Sequence, residues 1–277
     1  MRRISRLSHA RLSDLSNAPM IYFVSDIHLG CVDSEQSKRA ERAFCRWLDM
    51  VAADAEAIYL LGDIFDFWFE YHKVAPKGFV RVLGRLAMLA DRGVKIVFYP
   101  GNHDMWRLDY FATECGMRIE HKPSVEVVEG RKIHLAHGDN MNMKGQIMLR
   151  FMNFLFRSSV VRWAYRWLLH PDAAAWLGEA LSGKSRKAQR KPKRSKRPRR
   201  SVDEIVAPLV EYADMHHAAN GDVESYIFGH IHIPCRKECD GFEVLFLSDW
   251  SNAVATYATL ENNCITLKTF NIDETIS

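Results

Sequence analysis

Eight polar side chains lie in five short motifs, and their types are those that bind transition-metal ions. The motifs DIH, GD, GNHD, HGD and GHIH supply Asp26, His28, Asp63, Asn102, His103, His137, His230 and His232. Their donor atoms are oxygen and imidazole nitrogen, a mixture that suits Mn, Fe, Zn or Co. Two such ions about 3.5–4 Å apart activate water and neutralise charge on a phosphoryl oxygen. The motifs therefore predict hydrolysis of a phosphate ester or anhydride at a two-metal site.

Two of the motifs place their donors at positions i and i+2. Such residues point to the same side of an extended segment, so Asp26 and His28 can reach one centre, as can His230 and His232. A lone histidine such as His134 is more typical of a hydrogen-bonded structural position, and GNHD alone could be a turn before a helix. Five motifs in order, each after a predicted strand, favour one shared site.

Short buried strands must position these motifs. Apolar segments at 20–24, 57–61 and 95–99 have the length of buried strands, and each runs directly into a motif. Helical patterns near 35–53 and 77–92 separate them, which predicts parallel βαβ units and an α/β fold. Ligands of such sheets lie beyond the carboxyl ends of the strands, where the motifs are found.

Six further segments are predicted to form strands of a second sheet, with mostly antiparallel pairing near the end of the chain. These segments are 124–128, 131–137, 226–228, 244–247, 256–260 and 265–270. We expect residues 19–139 and 202–277 to form one domain that carries both sheets.

Residues 140–201 are predicted to be a helical insertion in this domain. The insertion begins with an apolar, aromatic-rich stretch and ends in a block, 184–200, in which eleven of seventeen residues are Lys or Arg. Without this block the chain has 27 basic against 34 acidic residues, so its basic character belongs to one segment. We expect the block to be a disordered, solvated loop. The aromatic stretch is typical either of a helical hairpin packed on the sheet or of a surface that binds acyl chains or a bilayer.

The composition is that of an ordinary globular chain, with 277 residues, 48% apolar and 26% charged. The sequence has no uninterrupted run of 18 apolar residues, so we expect no membrane-spanning helix. Residues 1–18 are basic but lack the apolar core of a signal peptide, so we expect a mobile tail on a cytoplasmic protein. The six cysteines form no CxxC pair, which favours reduced thiols.

The order and approximate spacing of the five motifs, over about residues 20–270, resemble those of calcineurin-like metallophosphoesterases. The resemblance implies a four-layer α/β/β/α sandwich with two divalent ions, of which Mn²⁺ is the first expectation. It implies that one ion is bound by Asp26, His28 and His232, that the other is bound by Asn102, His137 and His230, and that Asp63 bridges them. Together with Asn102, His103 is the expected catalytic residue, because it matches the family position that protonates the leaving group or steadies the transition state.

Three features are similar to a branch of this family that cleaves an acylated UDP-sugar in lipid A biosynthesis. They are GDIFDFWFE around Asp63, the long insertion after HGD, and SDW at 248–250. The similarity implies attack on the α-phosphorus, with release of UMP and a lipid 1-phosphate. It also implies peripheral attachment to the inner face of the bacterial inner membrane. The apolar stretch beside the basic block favours an anionic lipid surface over nucleic acid as its partner.

Alternatives to this substrate remain. His103 stands where the best-known members of that branch have Arg, and this favours another phospholipid or nucleotide as substrate. A non-catalytic scaffold on the same fold is a third hypothesis, disfavoured by the complete ligand set. Arg157, Lys184 and Arg186 are predicted to contact a phosphate or headgroup, on the basis of their charge alone.

Overall fold

Strands alternate with helices in the first half of the chain. The computed structural model describes residues 19–31, 33–141, 154, 158–173, 176 and 200–274. Within this part of the chain the strands are β1 (Met20–Val24), β2 (Ala55–Leu60), β3 (Lys95–Phe98), β4 (Arg118–Ile119), β5 (Ser124–Val128), β6 (Arg131–Ala136), β7 (Ser225–Phe228), β8 (Cys235–Glu238), β9 (Glu243–Phe246), β10 (Val254–Glu261) and β11 (Cys264–Asn271). The helices are α1 (Ser34–Val51), α2 (Val80–Asp91), α3 (Tyr110–Thr113), α4 (Ser159–Leu168) and α5 (Val202–Asn220).

The first sheet has six strands in the order β11-β10-β1-β2-β3-β4. Strands β1 to β4 are parallel neighbours, and α1, α2 and α3 connect them. The predicted βαβ units are therefore confirmed, and the ends of β1, β2 and β3 bring the first three motifs to one edge of the sheet.

The second sheet has five strands in the order β5-β6-β7-β9-β8, and it differs from the prediction. The segments 256–260 and 265–270 lie in β10 and β11, which join the first sheet, so their assignment to the second sheet was wrong. The physical reason is that β10 covers the open edge of β1, where Tyr22 pairs with Thr259. Alternating apolar residues predict a strand but do not say which edge it covers. Strand β9 also pairs parallel to β7, while β8 closes the sheet in the antiparallel sense.

Three hydrophobic clusters fill the spaces between the layers. Phe23 stacks on Tyr59 at 5.1 Å between the two sheets, where side chains of the second sheet such as Leu135 also pack. Trp47 of α1 packs on the outer face of the first sheet, and Leu209 of α5 packs on that of the second. The protein is thus the expected α/β/β/α sandwich.

The insertion enters this description mainly through helix α4. The Ser158 side chain caps this helix by accepting a hydrogen bond from the backbone nitrogen of Val161. No residue of the helix is buried. Trp163, Trp167 and Leu168 are 59%, 70% and 78% exposed. Among the described residues, no helix is long and apolar enough to cross a bilayer. The predicted tail 1–18 and residues 184–199 of the basic block lie outside the described residues.

His134 on β6 is a buried structural histidine. Its Nε2 lies 3.2 Å from the Tyr212 hydroxyl, and its ring stacks on Tyr226. Burial, assisted by neighbouring His216, lowers the pKa of His134 to about 3.

This lowered pKa makes the stability of the fold depend on pH. When the pH is lowered below the unfolded-state pKa of about 6.5, the unfolded chain takes up a proton that the folded chain excludes, so the free energy of unfolding decreases as the pH is lowered from about 6.5 to about 3. His134→Phe is expected to flatten the slope of the unfolding free energy between pH 6 and 4 by about 1.4 kcal/mol per pH unit, measured by urea denaturation. An unchanged slope would contradict the assignment.

Candidate metal centre

The five motifs meet at one edge of the sandwich. Asp26, Asp63 and Asn102 follow β1, β2 and β3 of the first sheet, and His137 and His230 follow β6 and β7 of the second. The strands β1, β2 and β3 are parallel to one another, and so are β6 and β7. Their carboxyl ends face a common space, because His137 contacts Leu61 and His230 contacts Asp26 across the two sheets. The structure thus brings together the residues that the sequence proposed as ligands.

The first group of donor atoms comes from the DIH and GHIH motifs. Nε2 of His232 lies 3.1 Å from Oδ1 of Asp26 and 3.3 Å from Nε2 of His28. Two atoms bound at right angles to one ion by bonds of about 2.1 Å lie about 3.0 Å apart. These separations therefore suit shared coordination.

The second group centres on Asp63. Its Oδ2 lies 3.2 Å from Nε2 of His137, and these two residues form a candidate metal-binding group with His230. The same oxygen lies 4.0 Å from Nε2 of His28 in the first group. A single carboxylate between the two groups is the arrangement that a bridging ligand requires.

Buried polar atoms without a full set of partners test whether a metal fits. Asp26 Oδ1 and His137 Nε2 are buried and approach other proposed ligands, His232 at 3.1 Å and Asp63 at 3.2 Å, and within the described residues the buried Asn102 Oδ1 makes no hydrogen bond. Leaving a buried polar atom without a full set of partners costs about 1–3 kcal/mol, so these three atoms call for a further partner. Divalent ions would satisfy all three, and the residues present fit a two-metal centre.

The imidazoles are held from behind. Nδ1 of His137 lies 2.9 Å from the carbonyl oxygen of Leu61, and Nδ1 of His28 lies 3.1 Å from Oδ1 of Asp66. A carbonyl oxygen only accepts, so Nδ1 of His137 carries the hydrogen and Nε2 presents its lone pair to the centre. Asp66 had no predicted role, and the only sequence signal for one is its place three residues after Asp63.

The protonation states of Asp63 and His230 in the metal-free protein favour a cation, whereas that of His137 opposes it. Burial opposes the charge of Asp63, but the charges of His137 and His103 outweigh it and hold the pKa of Asp63 well below its usual range. Burial lowers the pKa of His230 to about 4, so this imidazole is neutral at pH 7. For His137, burial acts to lower the pKa, but Asp63 raises it well above the usual value. Metal binding must therefore displace a proton from His137.

The backbone at the centre adopts a conformation that side chains other than glycine rarely take. Five of the proposed ligands have φ between 52° and 66°, namely Asp26, His28, Asp63, His230 and His232. This left-handed conformation is strained for most residues and clusters at functional sites. Local sequence patterns did not predict it, because the surrounding contacts hold the backbone there.

Gly101 is required by the close approach of two loops, and its replacement is expected to damage the centre. A Cβ at this position would overlap Oδ1 of Asp63 and lie 2.7 Å from its backbone nitrogen. Gly101→Ala is therefore expected to displace Asp63 and to lower the bound metal, measured by elemental analysis, by at least about half. Gly84→Ala is the matched control, because nothing lies within 4 Å of its added Cβ. Equal metal content in both variants would contradict this packing.

Arg157, Lys184 and Arg186, which were predicted to contact a phosphate or headgroup, lie outside the described residues.

His103 lies beside Asp63. Its backbone nitrogen donates to Oδ1 of Asp63 at 2.9 Å, and its Nε2 lies 4.0 Å from Oδ2 of the same carboxylate. His103 thus lies at the centre and is itself only 10% exposed.

Comparison with known proteins agrees with this geometry. Residues 19–234 match the model of the calcineurin-like phosphoesterases, and the chain belongs to this family. It is similar to the UDP-2,3-diacylglucosamine hydrolase of Porphyromonas gingivalis, with 38% identity over 83% of this chain and 90% of the relative. Proteins of the same name in Azotobacter vinelandii and Neisseria meningitidis are 32% and 29% identical, over 82% and 87% of this chain and 89% and 94% of those relatives.

Proposed function

We propose that this phosphoesterase hydrolyses the pyrophosphate of UDP-2,3-diacylglucosamine, releasing UMP and 2,3-diacylglucosamine 1-phosphate in lipid A biosynthesis. The observation that carries the proposal is the convergence of the five motifs on Asp63 in a chain 38% identical to a hydrolase of that name. A non-catalytic scaffold would not need this complete set of donors.

The residues have distinct roles in this proposal. Asp26, His28 and His232 would hold one divalent ion and Asn102, His137 and His230 the other, with Asp63 between them. Two such ions, Mn²⁺ in our proposal, supply an activated water and neutralise charge on the phosphoryl oxygens.

His103 is the proposed catalytic residue of the chain. Its Nδ1 lies 2.7 Å from the carbonyl oxygen of Asp66, which can only accept, so Nδ1 carries a hydrogen and the ring orientation is fixed. Nε2 then faces the centre, where it would stabilise or protonate the departing phosphate.

The test is release of UMP by the purified chain incubated with UDP-2,3-diacylglucosamine and Mn²⁺. Chelation with EDTA should abolish the release, and added Mn²⁺ should restore it. In water labelled with ¹⁸O, the label should enter UMP and not the lipid phosphate, because the attack is on the α-phosphorus. Hydrolysis of bis-p-nitrophenyl phosphate without UMP release would refute this substrate and favour the alternative that His103 suggests, another phospholipid or nucleotide.

Peripheral attachment to the inner face of the inner membrane is part of the proposal. Helix α4 exposes Trp163, Trp167 and Leu168, and amphipathic helices of this kind bury their aromatic side chains at a lipid interface. The basic block that follows would add attraction to anionic headgroups.

Replacing both Trp163 and Trp167 by Ala is expected to weaken binding to phosphatidylglycerol vesicles by about tenfold or more, measured by sedimentation. Val127→Ala is the control, since Val127 is 66% exposed on β5, a strand of the second sheet. Deletion of 184–200 should reduce mainly the salt-sensitive part of the binding. Equal binding by all variants would exclude this surface.

A further inference from the structure

Helix α4 packs against the two segments that carry part of the proposed centre. The segment after Asp63 and the segment after His103 run side by side, with a parallel bridge between Phe69 and Trp106. Two backbone hydrogen bonds join them, from Trp68 to the carbonyl of His103 at 3.3 Å and from Glu70 to that of Trp106 at 3.1 Å. These segments form a platform that we define as residues 66–71 and 103–108.

A buried carboxylate makes this platform rigid. Glu70 is 2% exposed, and its side chain accepts from the indole nitrogen of Trp68 at 2.7 Å and from the backbone nitrogens of Leu108 and Tyr110. A displacement of the platform would leave a buried carboxylate unsatisfied, which is costly. A displacement of the platform would therefore also move the two loops that carry Asp63 and His103.

Two residues of α4 attach the helix to the platform. The Tyr165 ring packs against Phe69 and Trp106, with ring centres 4.5 Å and 4.8 Å apart. Nε of Arg166 donates to the carbonyl of Glu70 at 2.9 Å, and its guanidinium lies over the Phe69 ring.

A third contact holds the end of the helix. The Tyr71 hydroxyl donates to the carbonyl oxygen of Leu169 at 3.0 Å. This bond satisfies a carbonyl that the helix itself leaves open. On the other side Trp163 and Trp167 face outward, so α4 has one side attached to the platform and one apolar side that is not.

We propose that Tyr165 and Arg166 are positioning residues that hold α4 at the rim of the metal centre, and that this attachment confers preference for amphiphilic phosphates over small diesters. The inference rests on the proposed function. An acylated substrate has acyl chains that the apolar side of α4 would bind, whereas a small diester would contact only the metal centre. Loss of the attachment therefore raises KM for the amphiphile selectively, because a misplaced helix no longer orients it.

Arg166→Ala separates this role from a general loss of structure. We expect faster amide hydrogen exchange in 163–168 and a rise of about tenfold or more in KM for UDP-2,3-diacylglucosamine. The kcat/KM for bis-p-nitrophenyl phosphate and the metal content should change by less than about twofold. Arg166→Lys keeps a cation over Phe69 and one donor, and it should restore part of the KM.

Arg162→Ala is the matched control. It removes the same charge from the same helix, and in the described part of the chain the Arg162 side chain makes no hydrogen bond or ion pair. Unchanged exchange in Arg166→Ala, or an equal loss towards both substrates, would overturn the inference. If the wild type releases no UMP, the proposed function fails, whereas hydrogen exchange still reports whether Arg166 attaches α4.

Discussion

Asp63→Asn is expected to lower kcat for UMP release by about 10³-fold or more and to leave less than one equivalent of metal bound. Asp63 is the residue through which the two donor groups meet, since its Oδ2 lies 3.2 Å from His137 and 4.0 Å from His28. The amide has the same shape but no charge, so it cannot balance two cations. Metal ions contribute several kcal/mol to the transition state, and each 1.36 kcal/mol is about a factor of ten in rate.

The measurement combines elemental analysis with steady-state kinetics at saturating Mn²⁺. Asp240→Asn makes the same chemical change at an exposed turn between β8 and β9, and it should leave both quantities unchanged. A near-normal rate in Asp63→Asn would refute the bridging role. Retention of two metals would contradict the expectation that the charge of Asp63 is needed to hold them.

The framework of the site was predictable because it depends on local patterns. The limits of β1, Met20–Val24, agree with the prediction, and the motif that follows it lies where the strand ends. A buried strand and the polar turn after it are adjacent in the chain, so one window of sequence contains both signals. The rule that ligands collect at the carboxyl ends of parallel strands then supplied the convergence.

What the sequence did not predict depends on contacts between distant segments. Asp66 supports His28 across 38 positions, and Tyr165 packs on Phe69 across 96. Neither spacing has a periodic signature. The placement of β10 beside β1 is of the same kind, because the identity of the covered edge is decided by the packing of both sheets.

The strained backbone at the ligands has a related origin. The positive φ of Asp26 and His230 is held by a bond between them, since the backbone nitrogen of His230 donates to Oδ2 of Asp26 at 3.0 Å. Gly229 makes this approach feasible, because a Cβ there would lie 2.5 Å from the same oxygen. The strain appears only when these loops are brought together.

His103→Ala is expected to lower kcat by about 10²-fold while the protein retains its full metal content. His103 contacts Asp63 through its backbone nitrogen, a bond that Ala preserves, so the carboxylate stays in place. What is lost is the imidazole, which Asp66 holds through its carbonyl oxygen with Nε2 towards the centre. A group that transfers or steadies a proton contributes about 10²–10⁴-fold.

Two diesters with different leaving groups separate the two roles of this imidazole. If His103 protonates the leaving group, His103→Ala should slow the hydrolysis of diphenyl phosphate, whose phenolate is strongly basic, much more than that of bis-p-nitrophenyl phosphate, whose phenolate leaves without a proton. If it acts mainly by charge on the transition state, both diesters should slow equally. His103→Arg restores the charge but not proton transfer, so it should recover activity only in the second case. An unchanged kcat in His103→Ala, with normal metal content, would remove His103 from the reaction altogether.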